Sequence, residues 1–252
     1  MRILRRKSHE AESGESYWIS FTDLMTSLLF IFILAVMALM LQLTQQQSVL
    51  ANQQTKFSEQ ISTLQTAEIV RSQMLEEIQK ELKAAGINVL VTENNSVVSI
   101  PSALLGFGAS SYEIEKSYEK VSLAIGTAIS RAISKDERLQ YLDTVFVEGH
   151  TDNLAFQGLE GTGNWGLSTF RAISLWNLWD EKLPKNVRLD SMLNAEGKPL
   201  FSVSGYAQTR PVTKSQDSEA ELSANRRIDI RFTITRPDSD ELLDIEKSIL
   251  GS

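Results

Sequence analysis

An uncharged apolar segment dominates the N-terminal part of this 252-residue chain. Residues 24–41 carry no charge and include only two polar side chains, Thr26 and Ser27. About 20 apolar residues in an α-helix are enough to span the hydrocarbon core of a bilayer. We therefore predict a transmembrane helix over residues 18–43, preceded by a tail of residues 1–17.

A cleaved signal peptide is the alternative explanation of this segment. Its start is basic, and Val-Met-Ala at residues 36–38 is the nearest match to a small-residue cleavage site. The apolar run is long for a signal-peptide core, however, and the residues before it are numerous and mixed in charge. These features favour a retained membrane span.

The distribution of basic residues predicts the orientation of the span. The residues that precede it include Arg2, Arg5, Arg6 and Lys7. No Lys or Arg follows it before Lys56. Because segments rich in Lys and Arg are retained in the cytoplasm, we expect a cytoplasmic N-terminus and a C-terminal domain on the far side of the membrane.

One carboxylate, Asp23, lies about one helical turn inside the predicted span. Thr22, Thr26 and Ser27 are close to it in sequence or at helix-neighbour spacing. Ionisable residues inside spans often mark ion or proton routes. Alternatively, Asp23 lies at headgroup depth as a solvated residue that caps the helix start. Position alone leaves both interpretations open, and the ion would be a proton or Na⁺.

Residues 44–86 are predicted to form a helical linker that ends at Gly86. Its apolar residues recur at broken heptad spacing: Leu50, Phe57, Ile61, Leu64, Leu75, Ile78 and Leu82. This pattern fits a short, dimeric helical coil or a single helix packed on the next domain.

Charge and composition disfavour several functions. The formal net charge is −7, and basic residues do not cluster beyond the N-terminus, so we expect no nucleic-acid partner. The chain has no cysteine, and its two histidines, His9 and His150, are far apart in sequence. We therefore expect no metal site.

Residues 87–236 combine strand and helix patterns, and residues 237–252 are predicted to be a C-terminal tail. The predicted elements are a β-hairpin at 88–100, a helix at 114–134, a strand at 144–148, a helix at 167–183, and strands at 201–206 and 227–234. Counting the hairpin as one unit, the order is β-α-β-α-β-β. Such an order is typical of an α+β domain with helices on one face of a single sheet.

Polar residues cluster where these elements begin or end. Asp152 follows a predicted strand, Arg171 lies in the first turns of the next helix, and Arg226 begins the last strand. If they meet at one rim of the sheet, a carboxylate and a guanidinium would suit a ligand that has both an ammonium and a carboxylate. An internal salt bridge between Asp152 and Arg171 is the alternative.

The phrases that carry these residues are GHTDN at 149–153, NWGLSTFRA at 164–172, GYAQTRPV at 205–212 and NRRIDIRF at 225–232. Together, over residues 97–235, they resemble the OmpA-like peptidoglycan-binding family. The resemblance implies that Asp152 and Arg171 bind the ammonium and carboxylate of diaminopimelate in the stem peptide of the cell wall. It implies that the site is lined by Asn164, Leu167, Asn225 and Arg226. A glycine-rich insertion at 158–163 departs from the family pattern and would narrow or occlude the site.

The span resembles the B subunits of MotB-type ion-driven stators. In that family the aspartate of a phrase like Ala-Asp-Phe-Met-Thr carries the ion, and Thr-Asp-Leu-Met-Thr at 22–26 aligns with it. The phrase YWISFTDLMTSLLFIFIL is most similar to ZorB, the B-subunit family of the Zorya anti-phage defence systems. The resemblance implies that two copies of the chain form a dimer inside five membrane A subunits of the MotA or ZorA type. It places this assembly in the bacterial inner membrane, with the wall-binding domain in the periplasm. It also implies a translocated ion and no cofactor.

Three other functions remain as alternatives. The chain would be a flagellar or other MotB-like stator subunit, or a passive tether from membrane to wall, or a wall hydrolase. The hydrolase is disfavoured because no acid of raised pKa paired with a second carboxylate is evident in the sequence. We therefore expect no enzymatic activity.

Overall fold

The computed structural model describes residues 8–108, 110–158 and 160–236. The described residues up to Glu59 form one compact unit, and those from Gln60 onward form a second. The predicted tail 237–252 lies outside the described residues, and so do Arg2, Arg5, Arg6 and Lys7, on which the predicted orientation depends.

Helix α1 extends over Ser8–Ala84. Among the described residues it is the one helix long and apolar enough to cross a membrane, with a mean hydropathy of 2.7 in its most apolar window. The apolar side chains of residues 24–41 are exposed in the isolated chain, including Phe30 at 62% and Met40 at 65%. An apolar surface of this kind suits contact with lipid. The predicted N-terminal apolar helix is confirmed.

The last turns of α1 belong to the hydrophobic core of the second unit. Met74, Leu75, Ile78 and Leu82 are at most 1% exposed and form one cluster with the sheet and with the other core helices. The helix ends where Gly86 adopts a positive φ of 77°, and the Ile87 amide donates to the carbonyl of Leu82. This part of the linker is therefore a helix packed on the next domain.

The second unit contains a five-stranded sheet in the order β1-β2-β5-β3-β4. Its elements are β1 Leu90–Thr92, β2 Val97–Pro101, α2 Glu119–Ser134, β3 Leu142–His150, α3 Gly163–Lys182, β4 Phe201–Gly205, α4 Glu219–Asn225 and β5 Arg227–Ile234. Only β3 and β4 pair in parallel, across the connection that contains α3. All other pairings are antiparallel.

One face of the sheet packs against helices. Because side chains alternate along a strand, Val145 and Val147 of β3 point to the same face as Ile228 and Ile230 of β5. These residues are buried in one cluster with Ile129 of α2 and with α3. The predicted α+β fold class, with helices on one face, is confirmed.

Two predicted boundaries differ from the structure. Helix α2 begins at Glu119 instead of 114, because Lys116–Tyr118 form a separate 3-10 turn and Ile114 packs against the core from the preceding loop. Helix α4 was not expected. It begins with a capping box in which the amide of Glu221 donates to the hydroxyl of Ser218.

An ion-pair cluster fixes the end of α1 to the loop after α2. Arg138 donates to both carboxylate oxygens of Glu77, at 2.8 and 3.0 Å, and the Lys135 ammonium lies 3.3 Å away. The hydrogen bonds from Arg138 lower the pKa of Glu77 to about 2, against the opposing effect of burial and with further help from Lys135. Glu77 therefore stays ionised in acid in which a free glutamate is protonated.

This pairing predicts an acid-dependent contribution to stability. The stabilisation from ionised Glu77 is complete above the ordinary pKa of 4.5 and is lost as the pH falls toward 2. Because the side chain of Glu77 is 42% exposed, we expect at most about 1 kcal/mol at pH 7. In denaturation of the full-length chain in detergent, Glu77→Gln should have a lower free energy of unfolding than wild type at pH 7. The two free energies should be equal near pH 2. Glu181→Gln, on the exposed part of α3, is the control, and a difference that persists at pH 2 would contradict this account.

Candidate functional site

The candidate site lies at the carboxyl ends of the parallel strands β3 and β4. The amide of Tyr206 donates to the carbonyl of Gly149, and the amide of Thr151 donates to that of Ala207, both at 2.9 Å. These bonds hold the segments after the two strands side by side. Asp152 is therefore placed next to the Gly205–Val212 phrase.

Two glycines allow α3 to pack directly on this edge. A Cβ on Gly149 would lie 1.8 Å from the carbonyl oxygen of Ser168, and one on Gly205 would lie 2.3 Å from the Oγ1 of Thr169. Backbone and short side chains of α3 occupy the space that any larger residue would need. The glycines of two sequence phrases thus position the helix that carries Arg171.

Asp152 forms an ion pair with Arg226. The Nη1 of Arg226 donates to the Oδ2 of Asp152 at 2.8 Å, and the amide of Leu154 donates to the Oδ1 at 3.2 Å. The Nη2 of Arg226 also contacts the carboxylate of Glu219. Although burial opposes it, hydrogen bonding to Asp152 and Glu219 raises the pKa of Arg226. A single guanidinium therefore joins two carboxylates.

Arg171 is held by backbone carbonyls. Its Nε donates to the carbonyl of Ser111 at 2.9 Å, its Nη2 donates to that of Gly108 at 2.7 Å, and its guanidinium lies 5.5 Å from the ring centroid of Phe107. Burial lowers the pKa of Arg171 to about 10, while the charge of Asp152 opposes this effect and that of Arg226 adds to it. The guanidinium remains positive at neutral pH.

The structure brings Asp152, Arg171 and Arg226 to one rim, but the partner of Asp152 is Arg226. Asp152 pairs with Arg226 within the described residues, and its charge also raises the pKa of Arg171, against the larger effect of burial. Arg171 is 1% exposed, Asp152 6% and Arg226 9%. All three groups are therefore largely buried in the isolated chain.

Asn164 holds the segment that precedes the glycine-rich insertion. Its Oδ1 accepts from the amide of Phe156 at 3.0 Å, and its Nδ2 donates to the carbonyl of Leu154 at 3.0 Å and to the Oε1 of Gln208 at 3.2 Å. Leu167 is 2% exposed. Asn164 is thus bonded to the segment that follows Asp152, and Leu167 is buried in α3.

Asn225 also bonds to the backbone of a loop. Its Oδ1 accepts from the amides of Val212 and Thr213, at 2.7 and 3.1 Å, and its Nδ2 donates to the Thr213 carbonyl at 3.0 Å. The residue is fully buried. It fixes the turn after β4 and so supports the neighbouring Arg226.

The sequence interpretation missed Glu219 as a member of this site. The signal that would have found it is the Ser-x-x-Glu capping box at Ser218 and Glu221, which marks a helix start immediately before the last strand. That helix places the carboxylate of Glu219 against Arg226.

The other predicted site lies in the apolar part of α1. The hydroxyl of Thr22 donates to the carbonyl of Trp18 at 2.8 Å, and that of Thr26 donates to the carbonyl of Thr22 at 2.7 Å. Both hydroxyls therefore bond to their own helix, while Asp23 and Ser27 are exposed in the isolated chain. This helix thus presents a carboxylate on its surface near one end of the apolar segment.

The sheet face opposite the helices carries a buried polar network. Arg231 donates to both oxygens of Glu148 at 2.9 and 3.1 Å, Arg227 donates to Asp229 at 2.9 Å, and the Nε2 of His150 lies 3.2 Å from Asp229. Potential ligand atoms of Glu148, His150 and Asp229 lie within 4.8 Å of one another. Since each carboxylate already faces a guanidinium that would repel a cation, we interpret the network as structural.

The chain is similar in sequence to a motility protein. No family model matches it. It shares 33% identity over 86 residues with "Motility protein B" of Bacillus subtilis (strain 168), which is 34% of this chain and 28% of that relative. The chain thus matches little more than a quarter of the relative's length. The predicted similarity to MotB-type proteins is confirmed in this coarse form, and the similarity to ZorB stays a prediction.

Solved structures that resemble the chain include three bacterial proteins. A MotB-like protein from Desulfovibrio vulgaris has a TM-score of 0.49 and 14% identity, with coverage of 70% of this chain and 98% of that one. The periplasmic domain of Helicobacter pylori MotB has a TM-score of 0.48 and 20% identity, with coverage of 67% of this chain and 93% of that one. The cell wall anchor of the T6SS from Pseudomonas aeruginosa has a TM-score of 0.45 and 24% identity, with coverage of 64% of this chain and 97% of that one.

Proposed function

We propose that this chain is the wall-anchored B subunit of an ion-driven motor in the bacterial inner membrane. The observation that carries the proposal is the combination, in one chain, of an apolar helix bearing Asp23 and a sheet domain with an acidic and basic rim site. The similarity to a motility protein B supports it. The N-terminus would be cytoplasmic, and the domain after the span would lie in the periplasm.

The rim site would bind the peptidoglycan stem peptide. Asp152 would accept hydrogen bonds from the ammonium of diaminopimelate, and Arg171 would donate to its carboxylate. Both side chains are buried, and Arg171 is held by the backbone carbonyls of Gly108 and Ser111. On binding, the ligand's ammonium would take a share of Asp152 from Arg226.

Asp23 would carry the translocated ion, a proton or Na⁺. Two copies of this chain would lie within five A subunits of the MotA or ZorA type, and the ion would pass Asp23 at the interface between the subunits. Each unit charge that crosses 100 mV releases roughly 2.3 kcal/mol, which would drive stepwise rotation of the A ring. Wall attachment would hold the B dimer still.

The proposed output is anti-phage defence, which is what the predicted resemblance of YWISFTDLMTSLLFIFIL to the ZorB family implies. A flagellar or other MotB-like stator is the alternative, supported by the similarity to motility protein B. A passive tether remains a further alternative in which Asp23 only caps the helix. In each case we propose binding or transport without wall hydrolysis.

The wall-binding part is tested by sedimentation of the full-length chain in detergent with purified sacculi. Asp152→Asn removes the charge that would hold the ammonium, and Arg171→Lys keeps a charge but loses the planar fork that matches a carboxylate. We expect each substitution to weaken binding about tenfold or more, since a hydrogen bond to a charged group contributes about 1.5–3 kcal/mol.

Asp190→Asn, at an exposed carboxylate paired with Arg188, is the matched control. Circular dichroism should show that all three variants keep the wild-type fold. Unchanged sedimentation of both rim variants would contradict the assignment of the site.

A further inference from the structure

We propose that Glu219 determines the ligand preference of the rim site, favouring a group with both an ammonium and a carboxylate over a plain carboxylate. This inference rests on the proposed wall-binding function. It starts from the observation that Arg226 contacts two carboxylates, those of Asp152 and Glu219, at once. Nothing in the sequence phrases points to Glu219.

The charges of these side chains balance. Within the described residues, Arg226 is paired with Asp152 and Glu219, and Arg171 is coupled electrostatically to Asp152 and Arg226. Two positive and two negative charges therefore meet at the rim. A zwitterionic ligand group adds one charge of each sign and preserves the balance, whereas a plain carboxylate adds a negative charge alone.

Glu219 matters most when the ligand's ammonium arrives. The ammonium must share Asp152 with Arg226, which weakens the bond between Arg226 and Asp152. When the bond between Arg226 and Asp152 weakens, Arg226 remains paired with Glu219. This is possible because Glu219 contacts the Nη2 of Arg226, whereas Asp152 is bonded to its Nη1. Without Glu219, Arg226 would stay on Asp152 and would repel the ammonium.

The position of Glu219 makes this role separable from folding. Its side chain is 77% exposed, and the start of α4 is fixed by Ser218 and Glu221. Replacement of Glu219 leaves that capping box intact. The residue thus tunes the charge of the rim without supporting the core.

The test compares two probes, meso-diaminopimelate and pimelate, which has the same carbon chain without the amino groups. Calorimetric titration of the full-length chain in detergent gives the ratio of their affinities. We expect wild type to prefer diaminopimelate and Glu219→Gln to reduce this preference about two- to fivefold, the range of an exposed ion pair. Glu219→Asp should restore much of it, and Glu196→Gln, another exposed glutamate paired with Lys198, should leave it unchanged.

If wild type prefers diaminopimelate and Glu219→Gln shows the same preference, the role of Glu219 is wrong, but the proposed wall-binding function is not affected. Wild type that binds neither probe nor sacculi would overturn the proposed wall-binding function and this inference with it. Equal loss of both probes in Glu219→Gln would also overturn the inference, because a merely structural residue would act in that way.

Discussion

Replacing Asp23 by Asn should abolish ion-driven activity while leaving membrane insertion and wall binding unchanged. Asparagine has nearly the same size as aspartate, but it carries no negative charge and does not exchange a proton at neutral pH. The side chain is exposed on α1, so the substitution disturbs no described packing. Because the proposed work depends on charge crossing the membrane potential, we expect loss of function and not a partial decrease.

The measurement is phage protection and growth of cells that carry the native locus, at equal membrane abundance of each variant. Asp23→Glu, which keeps a carboxylate, is the matched control and should retain more activity than Asp23→Asn. Full protection by Asp23→Asn would contradict the ion-carrier role and favour the tether. No protection even by wild type would redirect the proposed output to motility or transport.

Replacing Ile78 by Ala should destabilise the second unit by about 2–5 kcal/mol, the usual cost of truncating a buried aliphatic side chain. Ile78 is fully buried in the core that α1 shares with the sheet. Ile69, on the same helix but 57% exposed, offers a control in which Ile69→Ala should have little effect.

Urea titration of the full-length chain in detergent would measure this difference. Trp179 is 1% exposed, so the total tryptophan fluorescence, to which the other three tryptophans also contribute, changes when the core is lost. Equal midpoints for Ile78→Ala and Ile69→Ala would show that the last turns of α1 are dispensable for the second unit.

Elements with strong local patterns could be predicted from the sequence. Strand β5 has the predicted bounds, Arg227–Ile234, because its apolar residues alternate without interruption. The hairpin was also predicted correctly, since Glu93, Asn94 and Asn95 form a turn in which all three adopt positive φ. In both cases the local sequence and the tertiary environment favour the same structure.

The pairing within the site could not be predicted. Asp152 lies near both Arg171 and Arg226, and sequence order does not decide which guanidinium reaches it. Likewise, sequence order does not show that the amides of Asn164 and Asn225 bond to backbone groups, because the positions of those groups depend on loop geometry. The sequence predicted that Asp152, Arg171 and Arg226 meet at one rim, but not which of them pair.

Strand β5 is the last strand in the chain but lies in the middle of the sheet, between β2 and β3. During synthesis, β2 of the β1-β2 hairpin and β3 of the β3-β4 pair therefore each have an unpaired edge until residues 227–234 have been synthesised. Unpaired edges are templates for aggregation, and contacts between distant parts of a chain form slowly. New copies of the chain should thus need protection by chaperones until the last strand inserts, and a premature stop before this strand should yield an aggregating product rather than a smaller domain.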